Sequence, residues 1–191
     1  FHDIKKVCKD HDLGLHMDGA RIWNSLIANK NNPLIYGENF DTISVCLSKG
    51  LGCLIGSVLT GKKEILKNAL RIRKIFGGGM RQVGYLAAAG IYALNNNIER
   101  LAEDHNKAKQ IAKELKKKNF VKGLNEVETN IIIIELIENC NKQNIIDFFT
   151  AQNVIMDWHS MGLNKIRLVT HLDYTDSDHK NFLAILDKCV I

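Results

Sequence analysis

Apolar residues fall at helical spacing from the first position. Phe1, Ile4, Val7 and Cys8 share one face of 1–11, the period of an amphipathic helix. Leu13-Gly14 make a turn, and Leu15–Asp18 reads as a short strand. A helix over Ala20–Asn29 stops at Asn31-Asn32-Pro33. Thr42–Leu47 reads as a buried strand, and after Gly50-Leu51-Gly52 a second strand runs over Leu54–Thr60, antiparallel because the link is short. Lys62–Phe76 is helical and is broken by Gly77-Gly78-Gly79. Such alternation predicts an α/β domain with a mainly parallel sheet covered by helices. Two helices follow, Arg81–Asn95 with its small run Ala87-Ala88-Ala89-Gly90, and Ile98–Lys118. The pattern then changes to an apolar strand at Asn130–Leu136, a helix at Lys142–Gln152, strands at Val154–Met156 and Lys165–Val169, and a helix at Ser177–Val190. Phe182, Ile185, Leu186 and Cys189 share one face of that last helix. These elements predict a small α+β domain that begins partway down the long helix, dividing the chain into 1–111 and 112–191.

Composition narrows the classes. A chain of 191 residues with 46% hydrophobic content and one proline can bury a real core in one or two domains. The net charge of +5 is modest, and the run Lys116-Lys117-Lys118 sits at a helix end, where cations complement the dipole. No aromatic residues interleave with basic ones, so no nucleic-acid partner is expected. The five cysteines are widely spaced with no Cys-x-x-Cys pair, which suggests neither a metal site nor a disulfide framework. An odd count suits a reducing compartment. No apolar run approaches the roughly 20 residues that cross a bilayer, and no signal peptide is apparent. A cytoplasmic protein without a membrane partner is expected. Phe1 starts inside a helix without methionine, cap or preceding strand, so the chain reads as the middle of something longer.

Two strand ends carry the chemistry. Asp18 closes the strand in His16-Met17-Asp18, and Lys49 follows the strand that ends at Leu47. Ligands of open α/β sheets sit at such carboxyl ends. A lysine there can form a Schiff base with pyridoxal phosphate (PLP), and an aspartate can keep the pyridine nitrogen protonated. Lys74 and Arg81 could supply the positive field that lowers the lysine pKa. A solvated loop lysine and a capping aspartate fit the same two positions, so the pair alone does not decide.

The surrounding words do more. His16-Met17-Asp18-Gly19-Ala20-Arg21, Ser48-Lys49-Gly50-Leu51-Gly52, Gly56-Ser57-Val58-Leu59, Arg73 to Gln82 through the glycine run, Ala87-Ala88-Ala89-Gly90, Arg100 to His105, and Arg167-Leu168-Val169-Thr170-His171 occur in that order. Together they resemble the low-specificity L-threonine aldolases, PLP enzymes of fold type I grouped with the β-eliminating lyases. The resemblance covers essentially the whole chain. It implies an aspartate aminotransferase-like fold, with 1–111 as part of the PLP-binding large domain and 112–191 as the small domain. It implies that Lys49 is the Schiff-base lysine, that Asp18 pairs with the ring nitrogen, and that Arg21 lies beside the cofactor. It further implies that Arg167 clamps the substrate carboxylate and that Lys74 and Arg81 lie near the cofactor phosphate or a subunit boundary. His16 either helps orient the site or packs in the core, and His171 is a candidate at the site mouth. His105 reads as a surface or helix-packing residue, Trp23 and Trp158 as packing residues, and the three glycines as a backbone device.

The chain departs from the family pattern at Cys53-Leu54, where Ala-Pro is common; both changes are apolar and an intact turn is expected. The family's glycine-rich phosphate-binding turn and its ring-stacking histidine are not found in these 191 residues. The activity implied is retro-aldol cleavage of L-threonine or L-allo-threonine to glycine and acetaldehyde, in a homodimer or homotetramer with sites between subunits. Two other readings stay open: a related PLP lyase acting by β-elimination, and a catalytically silent chain that serves in assembly.

Overall fold

A computed structural model describes residues 1–158, 161–162 and 164–189. The chain forms two compact units, Phe1–Glu99 and Arg100–Ile191.

In the first unit, α1 (His2–Asp10) leads into strand β1 (His16–Gly19), followed by α2 (Ile22–Asn29), α3 (Leu34–Asn39), β2 (Thr42–Cys46) and β3 (Ser57–Gly61). The sheet order is β1-β2-β3. β1 runs parallel to β2, with Asp18 opposite Ser44, and β2 runs antiparallel to β3. Asp41 sets the register at the start of the parallel pair. Its Oδ2 accepts the Leu15 N–H at 2.9 Å, and its own N–H donates to the Leu15 carbonyl at 2.8 Å. Lys62 at 2.9 Å and Lys5 at 3.5 Å face the same carboxylate. The Leu15 N–H, Lys62 and Lys5 hold its pKa down to about 2, against partial desolvation. Ile22, Tyr36 and Ile43 form the small core, flanked by Met17, Trp23, Leu26, Phe40 and Val45.

The expected helix over 62–76 divides into α4 (Lys63–Leu66) and α5 (Ala69–Ile75). α6 (Gly84–Asn96) completes the unit. The small run in α6 has a packing reason, because a Cβ on Gly90 would stand 3.1 Å from Leu47 Cδ1. The glycine break after α5 is also a backbone device: Gly77 has φ 78°, a region that favours glycine. The expected strand over 54–60 starts only at Ser57, because Gly56 at φ 132° leaves the extended path. Helix α3 lies where the sequence marked no element. Asn32 Oδ1 accepts the Leu34 N–H at 3.0 Å and Pro33 pre-sets its first turn.

The second unit begins with α7 (Leu101–Leu115), then β4 (Val121–Leu124), β5 (Ile131–Leu136), α8 (Lys142–Ala151), β6 (Lys165–Val169) and α9 (Asp176–Lys188). Its antiparallel sheet has the order β4-β5-β6. β5 is apolar at nearly every position, yet it buries Ile132, Ile134 and Leu136 more completely than their neighbours, as strand alternation requires. These three join Ile111, Leu115, Phe149, Trp158, Phe182 and Leu186 in one core. The sequence division at 111/112 falls inside α7, whereas the structure keeps α7 whole in this unit. The reason is its buried face, Leu101, Asp104, His105, Ala108, Ile111, Ala112 and Leu115, which packs as one piece on β5 and α9.

Strand β4 was not expected, since Val121-Lys122-Gly123-Leu124 is short, contains glycine and has an irregular register. The strand expected at Val154–Met156 is not one. Val154 donates its N–H to the Phe149 carbonyl at 2.9 Å in closing α8, and β5 already has β4 and β6 on its two edges. The closing helix ends at Lys188; the final position expected for it, Val190, lies outside the described residues. Among the described residues no helix is long and apolar enough to cross a membrane.

Candidate functional site

Asp18 and Lys49 emerge at the carboxyl ends of neighbouring parallel strands. Asp18 lies within β1 opposite Ser44, and Lys49 lies three residues beyond the end of β2. Both side chains are exposed. Asp18 Oδ1 accepts the Ala20 N–H at 3.0 Å, which fixes the carboxylate at the strand-to-helix turn. Gly19 must be small here, because a Cβ would meet the Ser44 carbonyl oxygen at 2.7 Å. Arg21 follows as the half-buried N-cap residue of α2.

The turn that carries Lys49 is closed at several points. The Gly52 N–H donates to the Lys49 carbonyl at 2.9 Å, the Cys53 N–H to the Leu47 carbonyl at 3.1 Å, and the Leu47 N–H to the Gly56 carbonyl at 2.9 Å. Gly52 has φ 75°. Leu51 is buried at the centre of the turn, and Asn97 Nδ2 donates to its carbonyl at 2.7 Å. Cys53 packs its thiol toward the Ala89 carbonyl at 3.7 Å, and burial pushes that thiol pKa up. The turn is therefore intact with Cys53-Leu54 in place.

His16 shares the face of Asp18 on β1, since the two are exposed while Met17 and Gly19 between and beyond them are more buried. It is not a packed core histidine. Its Nδ1 lies 2.8 Å from Thr42 Oγ1 across the parallel pair. Lys74, in the last turn of α5, and Arg81, just past the glycine run, are both exposed and make no ion pair among the described residues.

Within the second unit, Arg167 on β6 and His171 just beyond it line one cavity of about 350 Å³. That volume lies in the range of small-molecule sites. Met156, Asp157, Thr170 and Tyr174 contribute to its polar and apolar wall. Arg167 is half-buried, with its strand partner Ile133 on β5. The sequence pointed to Arg167 and His171 but not to Asp157 or Tyr174. Those two sit in irregular backbone, which carries no period, and the only sequence signal near Tyr174 is the capping pattern Thr175-x-x-Asp178. His105 is buried rather than at the surface; burial lowers its pKa, opposed by Asp104.

The donor set suits PLP. An amine able to hold the cofactor's aldehyde carbon and a carboxylate able to accept from a protonated pyridine nitrogen stand at the carboxyl ends of adjoining parallel strands, with an arginine at the start of the helix after the first. Asp18 keeps acceptor capacity beyond its bond to Ala20, as a carboxylate accepts at both oxygens.

The fold defines the class first. Over 97% of its length the chain superposes on a threonine aldolase of Leishmania major with a TM-score of 0.74 at 21% identity, covering 54% of that chain. It superposes over 98% of its length on a histidinol-phosphate aminotransferase of Clostridium acetobutylicum, with a TM-score of 0.65 at 17% identity and 57% of that chain covered. Its architecture is thus fold type I of the PLP-dependent enzymes. Residues 1–139 match the model of the β-eliminating lyase family, and the chain belongs to that family. It is also 41% identical over 165 residues to the low-specificity L-threonine aldolase of Escherichia coli K12, covering 86% of this chain and 47% of that protein. The chain spans about half the length of the relatives it matches.

Proposed function

We propose that this chain is part of a PLP-dependent aldehyde-lyase that cleaves L-threonine or L-allo-threonine to glycine and acetaldehyde. The observation that carries the reading is the Asp18–Lys49 pair at adjoining carboxyl ends of parallel strands, within a β-eliminating lyase sequence. The 41% identity to an L-threonine aldolase supports the substrate class. The first unit then belongs to the cofactor-binding large domain, and the second unit, which keeps α7 whole, to the small domain.

Each residue has a task its chemistry suits. Lys49 Nζ would hold the cofactor covalently through its aldehyde carbon. Asp18 would accept from a protonated pyridine nitrogen. When bound, PLP supplies the electron sink for the pair released as Cα–Cβ breaks. Arg21, at the start of α2, would lie beside the cofactor. His16 orients the face it shares with Asp18 through its contact with Thr42. Arg167 would grip the substrate carboxylate through two parallel N–H donors. His171 lies at the mouth of the cavity, and Lys74 and Arg81 serve the cofactor phosphate or a subunit boundary.

The whole protein is read as a cytoplasmic homodimer or homotetramer. Large apolar side chains stand exposed along the first unit, among them Leu70, Ile75, Phe76 and Tyr85. A patch of that kind favours burial against another surface.

The test adds PLP to the purified chain and to a Lys49→Ala variant and records visible absorbance, then measures aldehyde release from L-threonine. A bound-cofactor band present only with Lys49 supports the reading. Equal spectra refute the anchor, and a band without aldehyde release points to a related β-eliminating reaction. Absence of any band favours a chain that serves only in assembly.

A further inference from the structure

The segment Thr170–Tyr174 is held from both sides by buried polar groups. At its start, Thr170 Oγ1 donates to the Asp104 carbonyl at 2.7 Å, and Asn130 Nδ2 donates to the Thr170 carbonyl at 2.7 Å. Asn130 does so while its own Oδ1 stays buried without a partner among the described residues. Arg100 in turn grips the buried Asp104 carboxylate with two N–H donors, at 2.7 and 3.3 Å. At its end, the Tyr174 hydroxyl lies 3.1 Å from His179 Nδ1, and His179 Nε2 lies 2.9 Å from Gln110 Oε1. Lys107 Nζ donates to the Tyr174 carbonyl at 2.8 Å and pairs with Asp176. Between these anchors the Asp173 N–H donates to His171 Nδ1 at 3.2 Å, and the Tyr174 N–H to the His171 carbonyl at 2.9 Å.

Gln110 Oε1 can only accept, so His179 carries its proton on Nε2 and Nδ1 accepts from the tyrosine hydroxyl. The direction of the chain is thereby fixed: Tyr174 donates to His179, which donates to Gln110 on α7. This arrangement is more elaborate than closing a surface turn requires, and polar groups of this kind are costly when partly satisfied. The segment it holds follows directly on the end of β6, which carries Arg167, and supplies Thr170, His171 and Tyr174 to the cavity wall.

We infer that Tyr174, His179 and Gln110 are positioning residues for the amino-acid carboxylate site, holding the Thr170–Tyr174 segment so that His171 and Arg167 present a fixed wall to the ligand. The inference rests on the carboxylate-clamp reading of Arg167 given above.

The experiment uses the full chain, L-threonine as probe, and nuclear magnetic resonance of the Arg167 Nε–H and the His171 ring. Tyr174→Phe deletes only the hydroxyl, and His179→Gln breaks the same bond from the other side. Both variants are expected to weaken L-threonine binding about fivefold, the worth of one hydrogen bond, and to shift the Arg167 and His171 signals. Amide exchange in β5 stays unchanged, showing an intact core. Arg167→Lys is expected to weaken binding while leaving the His171 signal in place. Unchanged Arg167 and His171 signals in both variants overturn the inference whether or not threonine binds. Shifted signals with unchanged affinity overturn it too, since the bonds are then structural only. If neither the parent chain nor Arg167→Lys binds threonine, the clamp reading fails, and the side-chain signals alone decide whether the relay positions the wall.

Discussion

Gly19→Ala separates a steric requirement from the general benefit of replacing glycine. The substitution reduces the freedom of the unfolded chain, which by itself stabilises by about 0.4–1 kcal/mol. At Gly19 the new Cβ would stand 2.7 Å from the Ser44 carbonyl oxygen and 3.1 Å from Ile43 Cγ2. Ser44 lies on the central strand β2, paired on both sides, so its backbone cannot move without disturbing both ladders. Overpacking of this kind costs about 1–3 kcal/mol, which outweighs the entropic gain and leaves a net loss of about 1–2 kcal/mol. Gly14 provides the control, because a Cβ there meets nothing within 4 Å and its φ is not left-handed. Gly14→Ala is therefore expected to stabilise. Urea unfolding of both variants, followed by circular dichroism, measures the two signs, and thermal midpoints should differ at about 2–4 °C per kcal/mol for a chain of this size. The shift of β1 also carries Asp18 with it, so Gly19→Ala should weaken PLP binding while Gly14→Ala should not. Equal stability of the two variants would refute the close-approach argument.

Three further outcomes follow from the second unit and from the titrating groups. Leu186→Ala removes a fully buried side chain from the core and should cost about 2–5 kcal/mol; Ile155→Ala, at 91% exposure, should change stability by less than about 0.5 kcal/mol in the same urea titration. Thr175→Ala breaks the capping box with Asp178 at the start of α9 and should cost about 0.5–2 kcal/mol, read from the unfolding midpoint. Burial lowers the pKa of His179, with Lys107 adding to the effect, and lowers that of His105. The unfolded chain then binds more protons than the folded one below the ordinary histidine value, so their stabilisation is complete above pH 6.5 and is lost as pH falls through the depressed folded values. Asp41 adds a second loss, as pH falls from 3.8 toward 2. Unfolding free energies that stay flat from pH 7.5 to 5, in a His105→Gln/His179→Gln pair and its parent alike, would contradict the histidine assignment.

Much of the architecture was legible in the chain because it depends on period. Strands β2 and β6 and helices α2, α8 and α9 lie within a few residues of their expected places, since an apolar face at spacing 2 or 3.6 reports burial directly. The Asp18 and Lys49 words were equally legible, because glycines and strand ends punctuate the sequence around them. The sequence did not show where the chain divides. Helix α7 is amphipathic throughout, so nothing local marks 111/112 or 99/100, and only its packing on β5 and α9 assigns it to one unit. Nor did it show that His16 faces outward while His105 and His179 are buried, because an isolated histidine has no period of its own.

The sequence by itself determined the fold class and the family and singled out an amine and a carboxylate as candidates, because each is written in local spacing and short ordered words. Tertiary structure alone decided how those groups are held. The Leu15–Asp41 clamp that aligns β1 with β2 joins residues 26 apart, and the His179–Gln110 contact that braces the cavity wall joins residues 69 apart. Hydrogen bonds of that separation leave no mark on hydrophobic period, since either partner could sit at any polar position until the chain has folded around it.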